Sequence, residues 1–216
     1  MMVITEHFRQ QLDLLCKNNC AIVPLSNFVS WRLGKGPPPP PHAIVLTFDD
    51  GHISQYREAR PVILARRLPV TLFIYPSCIS NASYAMTWEQ VRELAGTGLF
   101  DVQSHTSWHP NFNHEAKRLN ERDYKVFVDH QLKHSKAVLE NEVHHDFTML
   151  AWPSGIDNAF LEEHAASAGY QAAFSMECRP ATSFDSHMSL PRCLVSDDYV
   201  GPRFLSFIKR AESLTR

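Results

Sequence analysis

The chain has no apolar run near the roughly 20 residues that a bilayer crossing takes, so a membrane span is excluded. It has no excess of basic charge: 21 Lys and Arg against 23 Asp and Glu give a formal net charge of −2. Without a basic field, nucleic acid and anionic membrane surfaces are not expected partners. Cysteine is sparse, odd in number and scattered, at Cys16, Cys20, Cys78, Cys178 and Cys193. Such a set is no disulfide framework, and all five are expected to be reduced small hydrophobes. The start, MMVITEHFRQ, lacks the basic and apolar stretches of a signal peptide, so a cytoplasmic location is the expectation. Neither a repeat nor a long linker interrupts the sequence. The 216 residues are taken as a single domain, 1–216, able to bury a full core.

What is present is a regular alternation. After five prolines at 37–41, which favour a stiff extended spacer, residues 43–48 (AIVLTF) form a continuous apolar run. That is the pattern of a strand buried on both faces. Weaker runs follow at 69–75, 100–104, 147–152 and 171–175, with a short one earlier at 21–25. Helical patterns separate them at 53–67, 87–95, 120–142 and 157–168, flanked by 6–17 and 202–211. Thr87 with Gln90 fits a capping box, and Asp157 fits an N-cap. Strands alternating with helices predict an α/β fold with parallel pairing, as a barrel or an open sheet. In either, chemistry gathers at the carboxyl ends of the strands.

The chemistry-bearing residues fall at those ends. Thr47-Phe48-Asp49-Asp50-Gly51 closes the first apolar run with two adjacent carboxylates. Neighbouring charges in a half-buried place repel, and a cation on one of them relieves this while leaving the other free as a base. The plainer alternative is a surface Asp-Asp-Gly turn. Ser104-His105-Thr106-Ser107-Trp108-His109 follows the 100–104 run. Histidines four apart share a face of a helical turn and can grip one ion, or they are two unrelated surface residues. Together, Asp50, His105 and His109 supply three ligands, the count of a catalytic zinc site with one open position. A divalent metal is therefore expected, zinc first, with cobalt, nickel or manganese also suited. Trp152-Pro153-Ser154-Gly155 follows a third run and either walls a sugar pocket or makes a strand-to-helix turn around a core Trp. Arg192, in Leu190-Pro191-Arg192, either orients Asp49 through an ion pair or is a surface residue.

TFDDG, HTSWH about fifty residues later, and WPSG occur in an order and spacing that resemble the NodB-like polysaccharide deacetylases of carbohydrate esterase family four. The lead-in ITEHFRQQLDLLCKNNCAIVPLSNF and the segment MTWEQVRELAGTG resemble the branch that includes poly-N-acetylglucosamine deacetylases. The resemblance implies a distorted (β/α) barrel with fewer than eight strands. It implies that Asp49 is the base, that Asp50, His105 and His109 bind the metal, and that Thr106 supports the second motif or the substrate. It implies an acetylated carbohydrate as substrate.

Two departures stand out. Where many members of that family carry an arginine before the third motif, this chain has Ala151, which leaves the orientation of Asp49 to Arg192. The Leu-x-x-His motif that supplies the acid is not recognisable, and the Tyr-His segment that supplies it in the resembled branch would fall before the first residue. His187 is the candidate substitute, ahead of His52. The alternative to an active deacetylase is a weak or inactive relative that binds metal and glycan. A non-haem iron oxygenase would also use two histidines and a carboxylate, but it has no need of the second carboxylate.

Overall fold

The computed structural model describes residues 3–213. Helix α1 (Thr5–Lys17) opens the chain and buries Leu12 and Leu15, one turn apart on its apolar face. Strand β1 (Ala21–Ile22), helix α2 (Leu25–Arg32) and strand β2 (Ala43–Ile44) follow, and β1 and β2 pair in parallel as a small separate sheet.

Five parallel strands then form a curled half-barrel. They are β3 (Thr47–Asp49), β4 (Val70–Ile74), β5 (Phe100–Ser104), β6 (Met149–Ala151) and β7 (Ala172–Phe174), paired in chain order. Parallel neighbours need crossovers, and helices supply them. These are α3 (Arg60–Arg66), α4 (Trp88–Gly96), the pair α5 (Phe112–Arg118) and α6 (Glu121–Val143), and α7 (Ala159–Ser167). Helix α8 (Gly201–Ser213) closes the chain and packs on α1 through Phe204 and Ile208. Every residue of β4 is buried, as its apolar run predicts. One layer of core gathers Leu72, Ile74, Val102 and Phe147, and another gathers Phe112, Leu132, Trp152 and Leu161.

The register is uneven. β4 and β5 share five residue pairs, whereas β5 and β6 share only Ser104 with Leu150. Below that single pair the Gln103 side chain fills the gap, its amide oxygen accepting from the N–H groups of Thr148 (3.2 Å) and Met149 (3.0 Å). Buried backbone donors are thereby satisfied where the ladder fails.

Several expectations are corrected. The 43–48 run is not one strand buried on both faces. Its first half pairs with β1, its second half with β4, and all six residues are half-buried. The helix expected over 53–67 widens into a π-helical turn at Gln55–Ala59 before α3. Pro61 has no N–H to give back to the preceding turn, so the ordinary ladder cannot run through it. Thr87 and Gln90 do form the capping box of α4, but α7 is capped by Asn158, whose side chain accepts from the Leu161 N–H at 3.0 Å. Asp157 instead takes a bond from the Ser189 hydroxyl.

The cysteines are not all reduced, because Cys178 and Cys193 form a disulfide. The segment after β7 runs beside the one around Leu190. A parallel bridge joins Phe174 to Leu190, and the Ser175 N–H donates to the Leu190 carbonyl at 2.8 Å. Two cysteines 15 residues apart are brought together by that pairing, which their spacing does not reveal. A persistent disulfide is in tension with the cytoplasmic expectation, since cytosolic reductants keep thiols reduced.

Candidate metal centre and its base

The site lies at the carboxyl ends of β3, β4, β5 and β7. β3 ends at Asp49, and the chain turns at once, with Asp50 at φ 73° and Gly51 at φ 72°. Aspartate tolerates this left-handed region better than most residues. Gly51 is required on two counts: its φ, and a Cβ there would come within 2.8 Å of the Ile79 side chain. The Gln55 side chain donates to the Asp49 carbonyl, and the Met86 N–H donates to the Gly51 carbonyl at 2.9 Å, which fixes the turn.

β5 hands over to His105, whose N–H donates to the Ile74 carbonyl at 2.8 Å. The following residues do not form the helical turn that the i, i+4 histidines suggested. Thr106 (φ 66°) and His109 (φ 61°) are both left-handed, a costly state for a β-branched residue such as Thr106. Fixed partners hold the loop in that state. The side-chain oxygen of Gln131, on α6, accepts from the N–H groups of Ser107 (3.2 Å) and Trp108 (3.3 Å). Gln131 escaped the sequence reading. The signal was available: it is a fully buried polar residue on the stripe formed by Val128, Leu132, Ser135 and Leu139.

The two motifs converge. Asp50 Oδ1 stands 3.6 Å from His105 Nε2 and 3.7 Å from His109 Nε2, and the three ligand atoms all lie within 4.8 Å of one another. The chemistry of the donors fits a divalent ion. His105 Nδ1 is 2.8 Å from the Ala151 carbonyl, which can only accept, so Nδ1 carries the proton and Nε2 keeps its lone pair. Burial pushes the His105 pKa down, which keeps the ring neutral. Tyr75, at the end of β4, packs against both rings, its centroid 5.6 Å from that of His109 and 6.4 Å from that of His105.

Asp49 has a different partner. Arg192 Nη1 and Nη2 donate to its two carboxylate oxygens at 2.8 and 2.9 Å, the two-pronged geometry that guanidinium and carboxylate favour. Burial raises the Asp49 pKa, but the Arg192 charge and hydrogen bonds together with the neighbouring His105 and His109 outweigh burial and hold the carboxyl below its usual range. The guanidinium also donates to Thr47 Oγ1 and the Ser175 carbonyl, and it lies 5.0 Å above the Phe73 ring. Adjacent carboxylates thus have separate tasks: Asp50 joins the imidazoles, and Asp49 is held ionised by Arg192.

Other candidates are not brought to the site. Trp152 is fully buried against Phe112, with its indole N–H donating to the Met188 carbonyl at 2.8 Å, so it is core and not a pocket wall. Pro153 is buried beside it, while Ser154 is exposed in a left-handed conformation. Thr106 is 0% exposed and cannot touch a substrate; its N–H donates to Ser104 Oγ, which braces the loop. His187 gives its carbonyl to the Ala173 N–H. Among the described residues, no hydrogen bond, ion pair or ring contact joins it to Asp49, Asp50 or their partners. His52 also turns elsewhere, its Nδ1 accepting from the Ser54 N–H and its ring stacked on Tyr84.

The family model for polysaccharide deacetylases matches residues 36–173, more than half of the chain. The chain belongs to the polysaccharide deacetylase family. It is 26% identical over 232 residues to the poly-beta-1,6-N-acetyl-D-glucosamine N-deacetylase of Escherichia coli (strain K12), covering 92% of this chain and 34% of the relative. It is 25% identical over 208 residues to the protein of the same name from Staphylococcus epidermidis, covering 91% of this chain and 68% of the relative. The chain thus spans about a third of the E. coli protein, and it spans 61% of a further relative from Bacillus subtilis. Among solved structures, the Streptococcus pyogenes deacetylase PplD in complex with acetate superposes with a TM-score of 0.81 at 20% identity, covering 95% of this chain and 87% of that one. That likeness is one of fold. It agrees with the distorted (β/α) barrel of fewer than eight strands expected from the motifs.

Proposed function

We propose that this chain is a metal-dependent hydrolase that removes acetyl groups from an N-acetylated amino-sugar polymer or glycan precursor. The observation that carries the reading is the division of labour at the end of β3. Asp50, His105 and His109 converge within 4.8 Å, while Asp49 stands aside, ionised and oriented by Arg192. The names of the relatives support an N-acetylglucosamine polymer as substrate.

Asp50, His105 and His109 would hold one divalent ion, zinc or else cobalt, nickel or manganese. When bound, such an ion polarises an acetyl carbonyl and acidifies water. The protein's own groups do the rest. Asp49 takes a proton from the water that attacks the acetyl carbon. Arg192 fixes the plane of the Asp49 carboxylate and keeps it unprotonated until then. Gln131 and Ser104 hold the His105–His109 loop in its strained form, so the ligands need not be gathered when an ion arrives.

The test is Asp49→Asn. It should keep its bound metal and lose about 10²–10⁴-fold in acetate release from N-acetylglucosamine oligomers. A variant that turns over at the wild-type rate would show that the base is elsewhere. A second reading, a slow or inactive metal- and glycan-binding relative, is favoured by one observation. Among the described residues, no imidazole besides His105 and His109 forms an ion pair or hydrogen bond with Asp49 or Asp50. Robust acetate release from any acetylated glycan removes that reading.

A further inference from the structure

We infer that the Cys178–Cys193 disulfide is a positioning device: it holds the backbone that delivers Arg192 to Asp49. The part of the inference that concerns turnover rests on the function proposed above; the structural part does not.

Arg192 does not stand on a strand of the half-barrel. Its segment meets the sheet through one bridge, Phe174 with Leu190, two residues before the arginine. The Leu190 N–H donates to the Ala173 carbonyl, and the Leu190 carbonyl accepts from Ser175, both at 2.8 Å. Beyond that point the ladder stops. Among the described residues, positions 191–195 form no backbone-to-backbone hydrogen bond. The guanidinium has many partners, but they fix its tip; on the carboxyl side the next non-covalent anchors are Val195, packed against the core between α1 and α8, and Asp197, paired with His7.

That side is where the disulfide lies. Cys193 is the residue after Arg192, and Cys178 is three residues beyond Ser175, whose carbonyl the arginine also grips. The bond therefore ties the chain on one side of Arg192, and the Leu190 bridge ties it on the other. The half of the loop that follows Cys178 adds little support: Phe184, at its tip, is 95% exposed, and residues 179–185 are held by the Arg179–Asp185 ion pair and by Arg32 donating to the Asp185 carbonyl. Residues 186–190 are tied to the half-barrel, through Ser186 to Glu162, the His187 carbonyl to Ala173, the Met188 carbonyl to Trp152 and Ser189 to Asp157, so the support on that side ends at Leu190. A two-pronged ion pair tolerates little rotation of either plane, so freedom in this backbone becomes misorientation of the base.

The experiment uses the full chain purified without reductant, compared with the same protein treated with dithiothreitol. In the treatment the Cys178–Cys193 bond takes up two electrons and two protons to give two thiols, and dithiothreitol closes to its cyclic disulfide. Three readouts are taken: titratable thiols, hydrogen exchange of peptides covering 188–195, and kcat and KM for acetate release. The expected result is two additional thiols, faster exchange in 188–195 with the β4 and β5 peptides unchanged, and a kcat about tenfold lower at constant KM and metal content. Cys178→Ser/Cys193→Ser should behave like the reduced protein. In an Arg192→Lys background the double serine change should cost nothing further, since both act on one contact. No gain of thiols, or unchanged exchange in 188–195, overturns the inference whether or not the chain deacetylates anything. An unchanged kcat, or an equal further loss in the Arg192→Lys background, reduces the disulfide to a general brace and overturns it too. Absence of acetate release in every form, with the exchange result as expected, counts against the proposed function and leaves the clamp standing.

Discussion

The two walls of the site are built differently. The wall made by the ends of β3, β4 and β5 carries Asp49, Asp50, His105 and His109, and it stands on a ladder with five pairs between β4 and β5 alone. The opposite wall, from β6 and β7 to the 190s, hangs on β5 by one pair and reaches Arg192 through one bridge and one disulfide. The first wall brings ligands together by repetitive backbone hydrogen bonding. The second needs individual devices, among them Gln103, Trp152 and Cys178–Cys193. The difference teaches that the convergence of Asp50, His105 and His109 is a property of the sheet, while the orientation of Asp49 is a property of a few specific contacts.

Four changes break or sharpen that contrast, the first with the largest effect. On the ladder wall, His105→Ala removes one of three ligands. It should abolish stoichiometric zinc binding and lower acetate release by about 10³-fold, as losses of a charge-stabilising group do. Retained zinc by elemental analysis would place the ion elsewhere. On the opposite wall, Trp152→Ala should destabilise by about 3–5 kcal/mol in urea melts, the cost of emptying a buried indole. Trp152→Phe should leave KM for N-acetylglucosamine oligomers unchanged. A raised KM there would return Trp152 to the sugar pocket.

Arg192→Lys keeps the charge but loses the fork, and it should lower kcat by about 10–100-fold without loss of metal. An equal rate would make the two-pronged pair dispensable. The smallest effect concerns acid. The folded pKa of Asp49 lies below the ordinary carboxylate value of about 4, so its pairing adds stability above that pH. The contribution is lost as pH falls from there through the lowered value. In metal-free protein the urea midpoint should therefore rise less steeply between pH about 3 and 5 in Asp49→Asn than in wild type. Equal slopes would mean that Asp49 gains nothing from Arg192.

The ladder wall was the legible one. Apolar runs ending in Asp49 and Ser104 marked two strand ends, and the order of the motifs marked the family, because strand-end placement is written locally in the sequence. The other wall was not legible for reasons specific to its parts. Trp152 looks the same in sequence whether it lines a pocket or fills the core, and only the packing of Phe112 and the Met188 carbonyl decides. Cys178 and Cys193 become neighbours through a parallel pairing that no local pattern announces. Helix α2 has no side-chain cap to betray it, and its apolar stripe of Leu25, Phe28 and Val29 is short. The 43–48 run misled because it serves two sheets in turn.

The hydrogen bond from His105 to position 151 is made to the main chain, so it is indifferent to which side chain position 151 carries. Mutational drift there, within what the buried space accepts, leaves the imidazole's tautomer untouched. An alanine can therefore stand at 151 without cost to the His105 tautomer, and the Asp49 carboxylate is held from a different segment of the chain, by Arg192.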